Sequence, residues 1–465
     1  LKLNYLIITA LFGVLFSFSS CEPTDEVLST DPSISLIFSQ DTVFFDTLYT
    51  SKEDENIDMS SIAQRFTVYN PSSNAVNISE ISLNDPNDVY SLLINGDASS
   101  SVDNTFLRGG DSMIIVAEAN IPYENQTTIR EFNADVNLFT NGNKQSVILN
   151  AFGEDPYYVA GGNVVIGDVV WDPGRTYLLI DSLYITEGSS LTINAGSKLV
   201  FDNAAKIQVS GSLQLLGTPQ DTIRLESKRL DGKYENSPGQ WGGVIFDSLS
   251  NNNKIYGSHI KNSTYGLYIY HPDNDDVIDL DIQNSTIENV SLVGVSSIKA
   301  DVRIVNTIIS HTVSYAFAQA SGGVCEFLYN TIVNENTGYY RDVPSVAFES
   351  ILDDKQGNEE IKLTCTNNIV WGSLSNEFNV SNGVSITNLT NNIIKTTSDD
   401  YSENNILNQD PYFRYPYSYN FTLADDSPAR GKAVNIPNIT IDQIGNPRTT
   451  TPDIGALQWV EELKE

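Results

Sequence analysis

The residues with the clearest chemical potential are carboxylates. In Asp273-Asn-Asp275-Asp276-Val-Ile-Asp279-Leu-Asp281, period-two alternation sends Ile278, Leu280 and Ile282 to one face of a strand and Asp279 and Asp281 to the other. Two outward carboxylates on one strand can hold a hard cation such as Ca2+. They are equally the surface acids expected of a chain with 26 basic and 59 acidic residues, net charge −33. Asp353 and Asp354 could supply one member of the carboxylate pair that glycoside hydrolysis requires. Adjacent acids on a polar loop also serve simply as solvated decoration. The three histidines, His259, His271 and His311, are too scattered for a metal triad, and turn or surface roles suit them. Tyr265, Tyr268 and Tyr270, with Tyr339 and Tyr340, are candidates for stacking on sugar rings.

These residues need strands to position them. Apolar residues at three-and-four spacing are almost absent, while alternation punctuated by Gly, Asn and Asp runs throughout, so the chain is all-β. Residues 33–155 carry six to eight short strands, including Phe66-Thr-Val68-Tyr and Met113-Ile-Ile115-Val, enough for one β-sandwich. From 156 to 410 a repeat of just over twenty residues takes over. Asn284-Ser-Thr-Ile287, Asn306-Thr-Ile-Ile309, Asn330-Thr-Ile-Val333, Asn367-Asn-Ile-Val370 and Asn391-Asn-Ile-Ile394 align with Asn-to-Asn steps of 22, 24, 37 and 24. The long step is read as one polar insertion, about Gly338 to Glu360.

Asparagine tolerates the left-handed backbone of a sharp corner, and its amide can both donate to and accept from stacked neighbours. Asn284, Asn306, Asn330, Asn367 and Asn391 are therefore expected to stack as a ladder. On that register Cys365 points inward and Cys325 has the opposite parity, so a bond between them would require a register break. With three cysteines in all, neither a disulfide framework nor a zinc cluster can form.

The repeat resembles the asparagine ladder of right-handed parallel β-helices of the pectate-lyase type, which implies three short strands per coil. Nine or so coils at ~4.8 Å would make a rod on the order of 40 Å long. Gly239-Gln-Trp241-Gly242-Gly243 resembles the Trp-Gly-Gly coil of bacterial β-helix proteins. Arg414-Tyr-Pro416-Tyr-Ser-Tyr419 resembles the pectate-lyase Arg-x-Pro-x-x-Arg, implying a proton-abstracting Arg414, although Tyr419 replaces the second Arg. Asp410-Pro-Tyr-Phe413, Ser427-Pro-Ala429-Arg-Gly431 and Pro452-Asp453-Ile-Gly455-Ala456 look like the tail of a family of bacterial surface β-helix proteins, with Arg430 in place of its usual acid. Residues 411–465 are accordingly expected to cap the far end of the solenoid, with the sandwich and Trp171-Asp-Pro-Gly174 at the near end. Phe66-Thr-Val68-Tyr69-Asn70 and Ile78-Ser-Glu-Ile81 resemble strands of Ig-like modules in Bacteroidota surface proteins.

The N-terminus, Lys2 followed by apolar Leu6 to Phe16 and small residues before Cys21, resembles a bacterial lipoprotein signal. This implies removal of residues 1–20, acylation of Cys21, an acidic tether over 21–32 and lipid anchoring in the outer membrane. Ordinary cleavage beside an incidental cysteine is the alternative. The acidic Glu22-Pro-Thr-Asp-Glu26 also resembles the Bacteroidota signal for the outer leaflet, or is a plain linker. Basic patches for nucleic acid are absent. The reading that results is a surface-exposed lipoprotein whose β-helix face binds glycan or mediates adhesion without catalysis. The alternatives are a calcium-dependent lyase or a hydrolase of acidic polysaccharide, and a structural envelope protein.

Overall fold

The computed structural model describes residues 26–160, 162–203, 205–229, 232–271, 277–335, 338–349 and 360–461. Among them there is no α-helix, only strands and four short 3-10 turns, and so no helix long and apolar enough to cross a membrane. Contacts divide the chain into two units, one ending at Pro156 and one beginning at Tyr157.

The first unit is a sandwich of two five-stranded sheets. One orders Ile37–Phe38, Gln64–Tyr69, Ser112–Ala119, Tyr90–Ile94 and Asp97–Ala98. The other orders Thr42–Tyr49, Asn143–Glu154, Arg130–Thr140, Val76–Asn84 and Ser101–Leu107. Setting aside Thr42–Tyr49, Asp97–Ala98 and Ser101–Leu107, the seven remaining strands have the ABED and GFC order of the immunoglobulin fold. Alternation builds its core: Phe66, Val68, Ile78, Ile81, Ile115, Val136 and Leu149 are all buried.

The second unit is a right-handed parallel β-helix. Its coils pass through three parallel sheets, here A, B and C, of eleven, nine and nine strands, the last two turns each adding a strand to sheet A alone. Sheet A runs from Tyr157–Val159 to Ile406–Leu407, sheet B from Val164–Val165 to Phe378–Val380, and sheet C from Asp168–Trp171 to Val384–Thr390. One apolar core fills the triangle, with Ile260, Ile287, Ile309 and Ile332 stacked from sheet A. Trp241 lies flat on Phe201 with centroids 3.9 Å apart and gives its indole N–H to the Lys261 carbonyl. Gly243, at φ 104°, must lack a side chain, because a Cβ there would sit 2.0 Å from the Tyr265 carbonyl oxygen.

The corner from sheet C to sheet A sets the register, and it corrects the expected ladder. The left-handed position is filled in successive coils by Gly257, Asn284, Asn306, Tyr329, Asn367, Asn391 and Asn404. Asn330 is the next residue along. The stacked, inward column is therefore Ser258, Ser285, Thr307, Asn330, Asn368, Asn392 and Asn405. Its amides link the rungs. The backbone N–H groups of Thr307, Asn330, Asn368 and Asn392 donate to Oδ1 of Asn330, Asn368, Asn392 and Asn405 at 3.0, 2.8, 2.8 and 2.9 Å. Asn368 Nδ2 also reaches the Phe327 carbonyl at 2.7 Å. Alignment on the Asn residues is one position off at 330, because Asn-Thr-Ile there matches the first Asn of each later Asn-Asn pair, whereas the coil turns on Tyr329.

That offset also reverses the cysteine parity. Cys325 pairs in register with Leu363 and Phe327 with Cys365, so both thiols face the core, fully buried and free. The insertion too differs from the sequence reading. Val346–Glu349 is a strand of sheet B that follows the A-to-B corner, with Val346 and Phe348 in the core. The far end of the core is closed by Tyr401, edge-on to Phe378 at 5.2 Å, with its hydroxyl accepting from the Val380 N–H. At the near end Trp171 stacks on Tyr177 at 4.1 Å. Residues 411–461 do not cap an end. They run as a strap along the outside of sheet A.

Asn368→Ala removes a buried donor and acceptor together and should lower unfolding stability by about 2 kcal/mol. Asn284→Ala, at the left-handed position of an earlier coil, should cost about half as much. Urea-unfolding midpoints of the two variants check the order.

Candidate functional site

The strap turns one flank of the solenoid into a seam. Outward side chains of sheet A form two files in register: His259, Thr286, Ile308, Thr331 and Ile369, and Lys261, Glu288, Ser310, Val333 and Trp371. Of the later members Ile308, Val333, Ile369 and Trp371 are apolar because they are covered. Phe421, Ala456 and Leu457 pack on Ile308 and Val333; Leu423, Ala429 and Ile454 pack on Ile369 and Trp371. Gly455, at φ 100°, comes so close that a Cβ would lie 2.8 Å from the Thr331 and Ile369 side chains. Ala456 N–H donates to Thr331 Oγ1 at 2.9 Å.

The left-handed corner residues serve the strap as docking posts. Asn306 Oδ1 accepts from Arg448 at 2.7 Å, and that guanidinium lies 3.8 Å above the Tyr329 ring. The Tyr329 hydroxyl donates to the Val434 carbonyl at 2.6 Å, Asn367 bonds Val434 through both its carbonyl and its amide, and Asn391 donates to the Lys432 carbonyl. Asn284 accepts from Asn306 at 3.0 Å, one direct amide link along this column.

Where the strap begins, it leaves two recesses on either side of Tyr419 and Phe421. One, of about 150 Å³, is lined by His311, Val333, Glu335, Pro416, Tyr417, Tyr419 and Phe421. The other includes Thr286, Glu288, Asn420 and Gln443 in its lining. Tyr419 stacks on His311 at 4.0 Å and donates its hydroxyl to Asn289 Oδ1 at 3.1 Å. Burial pushes the Glu288 carboxyl up, but the hydrogen bond and charge of His259, 3.0 Å away, with Lys261 and His311, outweigh it and hold Glu288 below the ordinary range. Burial pushes His311 down, against the opposing pull of Glu288. Glu335 is raised by burial and by Asp410, with Lys395 and Trp371 offsetting part of that and Glu377 adding to it. Tyr412, Tyr415 and Tyr417 stand exposed nearby on the strap, Tyr417 at 81%.

The structure disperses the residues singled out by sequence. Asp279 does not point outward: it is buried at the corner before the strand Leu280–Gln283, accepts the Asp301 N–H at 2.8 Å and pairs with His271 at 3.1 Å. Asp281 does face outward, but its oxygens are taken by the Tyr256 hydroxyl at 2.6 Å and by Gln283. Among the described residues no three His, Cys, Asp or Glu side chains gather as a metal site. Arg414 donates to the Val460 carbonyl at 2.9 Å, with Asp425 3.5 Å away, and so fastens the two ends of the strap. Tyr265 and Tyr268 meet edge-on at 5.7 Å on sheet B with Tyr270 on the same strand, away from the seam. Tyr339 and Tyr340 are exposed on the A-to-B loop that begins at Glu335. Cys21, Asp353 and Asp354 lie outside the described residues.

Sequence reasoning misses a fully buried ion pair at the same corner. Arg341 grips Glu377 through both nitrogens at 2.6 Å, and Glu377 also accepts from Ser345 Oγ and the Leu374 N–H. This fixes the loop that carries Tyr339 and Tyr340. The Arg-Asp-Val-Pro string around Arg341 resembles an ordinary polar loop, and Glu377 is 36 residues away.

No known family profile matches the chain, and no curated protein matches it. Among solved structures, the Agl-KA catalytic domain is 11% identical over 75% of this chain and 74% of its own, with a TM-score of 0.32. A catalytic domain of GH87 alpha-1,3-glucanase in complex with nigerose is 8% identical over 76% and 91%, TM-score 0.17. A PapD-like domain of human CEP192 is 11% identical over 29% and 95%, TM-score 0.18. At such low similarity the architecture stands on the strand registers themselves.

Burial under the stacked Tyr419 depresses His311 in the docked state, so His311 contributes stability above its undocked pKa and loses it as pH falls. Acidification should therefore loosen the strap below about pH 6.5 as His311 takes up a proton. Hydrogen exchange of 411–461 between about pH 7 and 5 checks this, and His311→Gln should flatten the response.

Proposed function

We propose that the protein is a bacterial surface lipoprotein, acylated at Cys21, whose β-helix holds glycan non-catalytically at the seam between sheet A and the strap. The observation that carries this reading is the group of exposed rings at Tyr412, Tyr415 and Tyr417 beside a recess with polar groups at its wall. Aromatic faces take sugar rings, and a few placed polar groups set their orientation. The strand Tyr265–Tyr270 offers a second aromatic surface on sheet B. A net charge of −33 disfavours polyanionic ligands, which turns the reading from acidic polysaccharide toward neutral or basic sugars.

One observation favours hydrolysis as a second reading: Glu288 is held low and Glu335 high, the divergence expected of a base and an acid. Against it, the two carboxyls line different recesses, separated by Tyr419 and Phe421.

Cells displaying the full chain should adhere to surfaces coated with neutral or amino-sugar glycans. Cys21→Ser should release the protein from the membrane and abolish adherence. Tyr417→Ala should leave it anchored but weaken binding about fivefold, the ~1 kcal/mol of one stacked ring. Release of reducing ends by the purified protein, lost in Glu335→Gln, would replace the binding reading with the hydrolytic one.

A further inference from the structure

The recess around His311 has the composition of a cation site. Tyr417, Tyr419 and Phe421 supply π faces and edges, Pro416 a rigid apolar wall, and Glu335 the one carboxyl of its lining. No lysine or arginine lines it. His311 lines the same space, its imidazole held by the stacked Tyr419 ring. An aromatic enclosure with one carboxylate attracts an organic ammonium group through the ring quadrupoles and the charge together. At about 150 Å³ the recess takes one small head group rather than a polymer cross-section.

We infer that this recess, bounded by Tyr417, Tyr419, Phe421, His311 and Glu335, binds the protonated amine of an amino sugar within a glycan chain. The inference rests on the glycan-binding reading and adds the ligand's chemical class. The tyrosines outside the recess, Tyr412 and Tyr415, then stack on the flanking rings. Burial, Asp410 and Glu377 keep the Glu335 carboxyl raised despite Lys395 and the Trp371 hydrogen bond, so an arriving cation meets a carboxyl that its neighbours leave under-compensated. A free substituted ammonium shares the same chemistry, so it serves as the control.

Calorimetry on the intact chain at about pH 6, where an amino-sugar amine is still protonated, tests the inference with three probes: a glucosamine tetramer, its fully N-acetylated counterpart, and tetramethylammonium. The amine form should bind at least tenfold tighter than the acetylated form. Glu335→Gln should bring that preference close to unity while Glu335→Asp keeps most of it, and Tyr417→Ala, at an exposed position, should weaken both tetramers. Equal binding of the two tetramers with loss in Tyr417→Ala would overturn the amine site and leave glycan binding standing. Tetramethylammonium binding that depends on Glu335, with neither tetramer bound, would keep the cation site and remove the glycan reading. Absence of binding by all three, or a preference untouched by Glu335→Gln, would overturn the inference.

Discussion

A sharp corner repeated in every coil leaves backbone N–H groups that point along the solenoid axis, inside the wall, away from water. Each needs an acceptor one rung on. Asn330, Asn368, Asn392 and Asn405 supply it to the N–H groups of Thr307, Asn330, Asn368 and Asn392. An unsatisfied buried donor costs ~1–3 kcal/mol, so a coil displaced by one residue would lose its corner bond as well as turning its apolar file outward. This polar seam fixes the register of the core, and through the core it fixes which side chains of sheet A face out.

The same corner works on both sides of the wall. The residue before each column member must adopt the left-handed conformation, and its side chain projects outward. Asn306, Tyr329, Asn367 and Asn391 use that projection to hold the strap. Apolar outward residues in the later coils of sheet A, which would otherwise be a liability on a solenoid flank, become the strap's seat. The earlier coils keep His259, Lys261 and Glu288 there instead. The boundary between the covered and uncovered parts of sheet A is where the recesses open, so the position of the candidate site follows from where the outward file changes from polar to apolar.

Period-two alternation and the twenty-odd-residue repeat make the solenoid readable from sequence, because few other folds can use both. Where the reading fails, the reasons are physical. The ladder shifts by one residue because Asn occupies both the turning and the stacking positions at 367–368 and 391–392, and only Tyr329 breaks the ambiguity. Asp279 reads as outward only if alternation is extended past the strand's start at Leu280 into a corner, where parity has no meaning. Val346 and Phe348 are core residues hidden within a polar stretch of sequence. The seam is invisible because its walls are more than a hundred residues apart, Glu288 and His311 on one side and Tyr417 and Tyr419 on the other. No local pattern announces that a strap will fold back along a flank.

If the inward column at the C-to-A corner carries the register, its backbone amides must be among the last in the solenoid to open. Residue-resolved hydrogen exchange at Asn330, Asn368 and Asn392 reads this without any substitution. Exchange should be as slow as that of core amides such as Ile332, proceeding through global unfolding alone. Exchange at the rate of exposed turns, with Ile332 still protected, would show that the corner amides do not hold the coils in place.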